Sequence, residues 1–274
     1  MKVSLVTLTY NKAYYIEALA KSLVEKCTGT PWQWVVLDNG SDDTLECLQN
    51  IDFRGNRVKY IQHDNAGNFS SMNNGAVRQG AEGETLIFLN NDMVAESDFV
   101  TMFHDALTKN PHVGAVGACL YYPNGSMQHC GVIVDRDVTP GNLGQFAHKL
   151  LGFSDVAIQP EYWGRPMVFQ AVTGACLGMR AQDFRALGGF HDEFSWCFED
   201  VDLCFRVRML LDKICIVLPD AKLIHYESLS GGNRKVDFNL ELLRGRWHGV
   251  ICRDSQLFKD QKLLQSRLLR QFTT

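Results

Sequence analysis

Apolar residues in the first half of the chain come in short unbroken runs separated by polar, periodic stretches. The runs VSLVTLT (3–9), WVVLD (34–38), RVKYIQH (57–63), TLIFLN (85–90) and VGAVGA (113–118) are rich in Val, Ile and Leu. Runs of this kind predict strands covered on both faces, and so a parallel sheet with helical layers. Helical periodicity falls between them, at 13–26, 42–50, 69–80 and 97–109. The expected class is α/β, a mostly parallel sheet flanked by helices on both faces.

Each run stops at a cluster of polar residues: TYNK, DNGSDD, HDNAGN and NNDM. In an open α/β sheet, ligands bind at the carboxyl ends of the strands, so all four clusters should gather along one edge. The region 120–168 is less regular and reads as extended segments and loops of the same domain. A second ordered block follows, with VTGACLGMR as a strand and AQDFRALGGF as a helix stopped by Gly188 and Gly189. The stretch HDEFSWCFEDVDLCFRVRMLL then begins another helix. Neither an internal repeat nor a low-complexity segment interrupts the pattern.

Composition narrows the classes. At 274 residues, 46% hydrophobic and 21% charged, the chain can build a sizeable core. Its net charge of −4 gives no footprint for nucleic acid, which is not an expected partner. The nine cysteines include no CxxC pair, which argues against a zinc ribbon or a disulfide framework and for buried thiols in a reducing compartment. The opening MKVSLVTLTYNK is too short and too polar for a signal peptide, and no apolar window is long enough to span a bilayer. Cytoplasm is the expected compartment.

Four segments have chemistry to offer, each beside a plainer reading. In NND, Asn90 to Asp92, a carboxylate with neighbouring amide oxygens suits a hard divalent cation shared with phosphate. Asn and Asp also favour β-to-α turns, and on the triplet alone the turn is the better reading. Asp38 ends a buried strand where it can accept from a base NH or a ribose hydroxyl, while Ser41 or Asp42 is the expected cap of the next helix. The segment 65–76, NAGNFSSMNNGA, lacks both the dinucleotide and the Walker spacings. Glu199, Asp200 and Asp202 open a helix whose dipole alone would favour them. Asp202 and Arg206, four apart, are spaced for a structural ion pair, which leaves Asp200 as the candidate base. His225, after an apolar pair, reads first as a structural histidine.

Taken in order, VTLTYNK, VVLDNGSDDT, NAGNFSSMNNGA, LIFLNNDM, VTGACLGMR, LGGFHDEFSWCFEDVDLCFRV and LIHYESLS resemble glycosyltransferase family 2 over about residues 1–232. Within it, the segment from GGF to EDVDL is most like bacterial transferases of rhamnose and other cell-surface sugars. The resemblance implies a GT-A fold with a Rossmann-like sheet. It divides the chain into a catalytic domain, 1–237, and a basic helical extension, 238–274. Within the domain, 1–118 would bind the nucleotide-sugar and 119–237 would hold the acceptor and the catalytic groups.

By position, the resemblance implies that Thr9, Tyr10, Asn11, Asp38, Asn68, Asn74, Asn90 and Asn91 serve the nucleotide-sugar. Asp92 and His225 would hold Mn²⁺ or Mg²⁺, and one imidazole among oxygens tilts the choice to Mn²⁺. Asn90 stands where the family's Asp-x-Asp motif has its first carboxylate, which implies weaker metal affinity. Asp200 would be the catalytic base, Glu199 would orient it or hold the acceptor, and Gly174 and Trp196 would line the acceptor side. The implied reaction is inverting transfer from a UDP- or dTDP-sugar to a hydroxyl of a glycan or lipid-linked glycan, in cell-surface polysaccharide or O-antigen synthesis. The alternatives are an inactive nucleotide-sugar-binding homologue and a sugar-1-phosphate nucleotidyltransferase.

Residues 238–274 hold seven Arg and Lys against three Asp and Glu. The pattern of 255–272 is a basic amphipathic helix, which fits peripheral contact at the inner face of a membrane. The better reading of the pattern alone is a helix packed on its own domain, on a second copy or on a further domain.

Overall fold

The computed structural model describes residues 1–41, 43–63, 67–142, 165–195, 197–227 and 236–251. Its elements in the first half are β1 (Val3–Thr9), α1 (Ala13–Lys26), β2 (Trp32–Asp38), α2 (Thr44–Gln49), β3 (Arg57–Gln62), α3 (Phe69–Gly80), β4 (Thr85–Leu89), β5 (Met93–Ala95), α4 (Phe99–Lys109) and β6 (Val113–Tyr121). The second half adds β7 (Met127–His129), β8 (Val132–Asp135), β9 (Thr139–Asn142), β10 (Met167–Phe169), β11 (Cys176–Arg180), α5 (Ala181–Ala186), α6 (Glu199–Leu211), β12 (Ile214–His225) and α7 (Val236–Trp247).

The central sheet runs in the order β10-β12-β6-β11-β4-β1-β2-β3. Its strand pairings give β3, β2, β1, β4, β6 and β12 one direction and β11 and β10 the other, so the sheet is mostly parallel. Side chains alternate between two buried clusters, one on each face. Leu86 and Phe88 of β4 pack with α3, α5 and α6, whereas Ile87 and Leu89 pack with α1 and α4. Burying each such residue stabilises the fold by about 1.5–3 kcal/mol. The edge strand β3 is only half-buried, as its Arg57, Lys59 and Gln62 require.

Two expectations need adjustment. The strand expected over VTGACLGMR covers only Cys176–Arg180. The backbone of 171–175 is diverted from the ladder: Val132 N–H donates to the Ala171 carbonyl and Asn90 N–H to that of Ala175. The cap expected from Ser41 or Asp42 is not found either, since the N-cap of α2 is Asp43, without a side-chain hydrogen bond. Asp42 lies outside the described residues.

Helix α7 begins at Val236, so the expected boundary at 237/238 falls inside it. Leu243 is fully buried against the α6 side of the core, and Trp247 stacks edge-on against Phe205. The pattern at 255–272 lies outside the described residues. Cys27, Cys119, Cys130, Cys176, Cys204 and Cys215 are buried free thiols. No helix among the described residues is long and apolar enough to cross a membrane.

Candidate active site

The polar strand endings do gather along one edge. Thr9 and Asp38 are register partners at the ends of β1 and β2, and Asn39 N–H donates to the Thr9 carbonyl. Asn91 Nδ2 donates to Thr9 Oγ1 at 3.2 Å, which ties the loop after β4 to the end of β1. Beyond Thr9, Tyr10 is half exposed, and Asn11 and Lys12 both adopt left-handed backbone with φ of 55° and 59°. For residues other than glycine this conformation is strained and often marks functional turns. Asn11 N–H donates to Ser41 Oγ at 2.6 Å, joining the first two loops.

Asp38 is fully buried, and both its carboxylate oxygens already accept hydrogen bonds, from Ser41 N–H and from the Tyr60 hydroxyl at 2.8 Å each. Burial, and then the bond to Asp38, push the Tyr60 phenol up to about 12. Asp38 therefore braces the loop that forms the site, and any ligand contact would use a remaining lone pair.

At the next strand, Asn90 N–H donates to the Ala175 carbonyl, and Asp92 and His225 meet. Asp92 Oδ1 lies 3.2 Å from His225 Nε2, and both residues are nearly buried. The meeting is set by the sheet: β12 pairs antiparallel with β5, His225 opposite Met93, and Tyr226 N–H donates to the Asp92 carbonyl. Asn90 Nδ2 lies 3.4 Å from the same His225 Nε2.

The second carboxylate arrives from α6. Two successive left-handed residues, Cys197 and Phe198 with φ of 68° each, turn the chain sharply into the helix. Glu199 is buried, while Asp200 is half-buried. Gly174 N–H donates to Asp200 Oδ2 at 2.6 Å and Val201 N–H donates to Oδ1 at 2.8 Å. A Cβ on Gly174 would sit 3.2 Å from Asp200 Cβ, so glycine there permits the close approach. Desolvation pushes the Asp200 carboxyl up from its ordinary value, opposed by the bonds from Gly174, Val201 and Thr173. Gly174 precedes Ala175, whose carbonyl holds Asn90. The loop that carries Asp92 and the first turn of α6 that carries Asp200 are thus both anchored on the segment just before β11, at Ala175 and Gly174.

Other predicted residues take structural posts. Asn68 caps α3 by accepting from Ser71 N–H, and its Nδ2 donates to the Asp192 carbonyl. Asn74 donates to the Phe190 carbonyl and to Asp192 Oδ1 and accepts from Phe190 N–H. Gly189, with φ of 79°, would drive a Cβ to within 2.4 Å of Asn74 Oδ1. Both asparagines therefore hold the 188–192 turn in place. Asp202 pairs with Arg206 at 2.8 Å, both buried, and also accepts from Trp247 Nε1. The ion pair read from the spacing is present. Trp196 lies outside the described residues. Sequence reasoning missed Tyr60, Thr173 and Gln128, the last of which contacts His225 Nδ1 at 2.6 Å.

Residues 4–129 match the sequence profile of glycosyl transferase family 2. The chain is 31% identical over 262 residues to the uncharacterized protein y4gI of Sinorhizobium fredii, covering 89% of this chain and 27% of that protein. It is 30% identical over 237 residues to the O-antigen biosynthesis protein RfbC of Myxococcus xanthus, covering 84% and 18%. It is also 24% identical over 248 residues to an N-acetylglucosaminyl-diphospho-decaprenol L-rhamnosyltransferase of Mycobacterium tuberculosis, covering 83% and 76%. The profile match and these relatives support glycosyltransferase family 2 as the family of this chain.

The chain spans about a quarter or less of the length of the first two relatives. Its fold is similar to that of GalNAc-T7, solved with UDP, GalNAc and Mn²⁺, with a TM-score of 0.66 at 13% identity, covering 84% of this chain and 44% of that one. The mannosyltransferase PcManGT of Pyrobaculum calidifontis, solved with GDP-Man and Mn²⁺, aligns with a TM-score of 0.57 at 18% identity, covering 84% and 58%. The fold is GT-A.

The donor set at this edge fits a divalent cation. Neighbouring ligands of an octahedral ion with bonds of about 2.1 Å lie roughly 3 Å apart, and Asp92 Oδ1 and His225 Nε2 are 3.2 Å apart. One carboxylate oxygen and one imidazole nitrogen suit Mn²⁺ somewhat better than Mg²⁺. Among the described residues no group of three or more His, Cys, Asp or Glu forms a cage. Such ions commonly take one or two protein ligands and complete their shell with phosphate oxygens and water.

Proposed function

We propose that this chain is the catalytic domain of a metal-dependent, inverting glycosyltransferase. It takes a sugar from a UDP- or dTDP-linked donor to a hydroxyl of a glycan or lipid-linked glycan acceptor. The observation that carries the reading is the placement of two carboxylates, Asp92 after β4 facing His225 and Asp200 at the start of α6 held by Gly174. Names of relatives, an O-antigen biosynthesis protein and a rhamnosyltransferase, favour cell-surface polysaccharide synthesis as the setting. The basic, amphipathic pattern of 255–272 suits an acceptor carried on a lipid.

Each group then has one duty. Asp92 and His225 would hold a divalent cation, whose chemistry when bound is to neutralise charge growing on the departing diphosphate. Thr9, Tyr10 and Asn91 border the donor at the first and fourth strand ends. Asp200 takes the proton of the acceptor hydroxyl as that oxygen attacks the anomeric carbon. Its raised pKa favours this proton transfer, and the hydrogen bonds from Gly174 and Val201 fix the direction in which it accepts. A single displacement inverts the anomeric centre and needs no nucleophilic side chain.

The test is thermal unfolding with UDP, dTDP, GDP and CDP, each with and without Mn²⁺. A ligand at a hundred times its Kd adds about 2.7 kcal/mol of stability. We expect a Mn²⁺-dependent rise in Tm with a pyrimidine diphosphate. No rise with any of the four contradicts the proposal.

A further inference from the structure

His225 has two ring nitrogens, and only a neutral ring with its lone pair on Nε2 can offer that atom to a cation beside Asp92. The side chains around the ring determine which nitrogen that is. His225 Nδ1 lies 2.6 Å from Gln128 Oε1. Gln128 Nε2 lies 3.2 Å from Glu227 Oε2, and the Tyr122 hydroxyl donates to the same oxygen at 2.9 Å. The NH₂ of Gln128 donates to Glu227, so its amide oxygen faces the imidazole. That oxygen only accepts. Nδ1 therefore carries a proton, and in the neutral ring the lone pair of Nε2 points at Asn90 Nδ2 and Asp92 Oδ1.

We propose that Gln128 is a positioning residue that fixes the His225 tautomer, with Glu227 and Tyr122 setting the direction of its amide. This rests on the metal reading given above. With the proton on Nδ1, two acceptors, the Nε2 lone pair and the Asp92 carboxylate oxygen, face each other across 3.2 Å. Both acceptors would then be available to hold a divalent cation, which would supply positive charge at that edge. The local fold favours the arrangement. The 122–126 turn, closed by Tyr122 N–H to the Ser126 carbonyl and Gly125 N–H to that of Tyr122, folds β7 back on β6 and brings Gln128 beside β12. Glu227 holds a left-handed backbone, φ of 47°, an unfavourable state for a side chain other than glycine.

The decisive experiment uses the full chain with ¹⁵N-labelled histidine. A long-range ¹H–¹⁵N correlation spectrum, assigned with His225→Ala, shows which ring nitrogen bears the proton. Mn²⁺ affinity is measured alongside from the EPR signal of the free ion. We expect the Nδ1–H form in the native chain. In Gln128→Leu that preference is lost and Mn²⁺ affinity falls about ten- to a hundredfold, the usual cost of losing a partner behind a metal ligand. The double variant Gln128→Glu with Glu227→Gln keeps an acceptor on Nδ1 and should restore both readouts. An Nε2–H tautomer in the native chain overturns the inference. So does unchanged Mn²⁺ affinity in Gln128→Leu when His225→Ala loses it, a result that leaves the metal reading standing. If His225→Ala also keeps its affinity, the metal reading and this inference fall together.

Discussion

Asp92, after β4, and Asp200, in the first turn of α6, are the same residue type, yet their surroundings differ in kind. Asp92 faces a second side chain, His225, whose nearer nitrogen is 3.2 Å away, a pair that on the proposed function would hold a cation. Asp200 faces backbone. The amides of Gly174 and Val201 orient its two oxygens, while desolvation raises its pKa. Acid–base roles follow from environments that push like groups apart. On the proposed function, one carboxylate would share a cation and the other would receive a proton. Two residues further along α6, Asp202 has a third fate, buried with Arg206 and joined by the half-buried Trp247 and His191 in a network that ties α6 to α7.

The contrast can be broken one residue at a time. The largest effect should come from Asp200→Asn, which removes the base but leaves the donor side intact. Transfer should fall by about 10²–10⁴, a usual contribution of a positioned base, while calorimetry shows nucleoside diphosphate binding unchanged. Because the Asp200 pKa is raised, the proton stays on to a higher pH than in an ordinary aspartate. In the native chain kcat/KM should therefore fall as pH drops, with its acid limb above the ordinary carboxylate value of about 4. A smaller and different effect should follow from Arg206→Met, which strands a buried carboxylate. Stability should drop by about 3 kcal/mol, roughly 10 °C in Tm, with Mn²⁺ affinity unchanged in the folded protein. A fall in Mn²⁺ affinity in that variant would mean that the α6 network and the metal edge are not separate.

Local features of the chain were legible because they depend on nearest neighbours. The span of α3, residues 69–80, follows from periodicity, and the strand ends follow from apolar runs meeting polar turns. The Asp202–Arg206 pair follows from helical spacing alone. What escaped notice depends on pairing between distant segments. Tyr60 reaches Asp38 because β3 lies beside β2 in a register that sets Tyr60 opposite Val36, two residues before Asp38. Gln128 reaches His225 only once β7 folds on β6 and β6 pairs with β12, 97 residues apart in sequence. Asn68 and Asn74 sit in a polar stretch that resembles a ligand loop, but the 188–192 turn packs against them and occupies their amides. The left-handed entry to α6 at Cys197 and Phe198 has no compositional mark at all, since neither residue favours that conformation.

The most direct test of two carboxylates with separate duties is Mn²⁺ binding by EPR, in the presence of UDP, dTDP or GDP, for the native chain, Asp92→Ala and Asp200→Asn. The account predicts tight binding in the native chain and in Asp200→Asn with the same nucleotide, and loss of at least about a hundredfold in Asp92→Ala, beyond the effect of removing a supporting group. Equal loss in both variants, or none in Asp92→Ala, would contradict it.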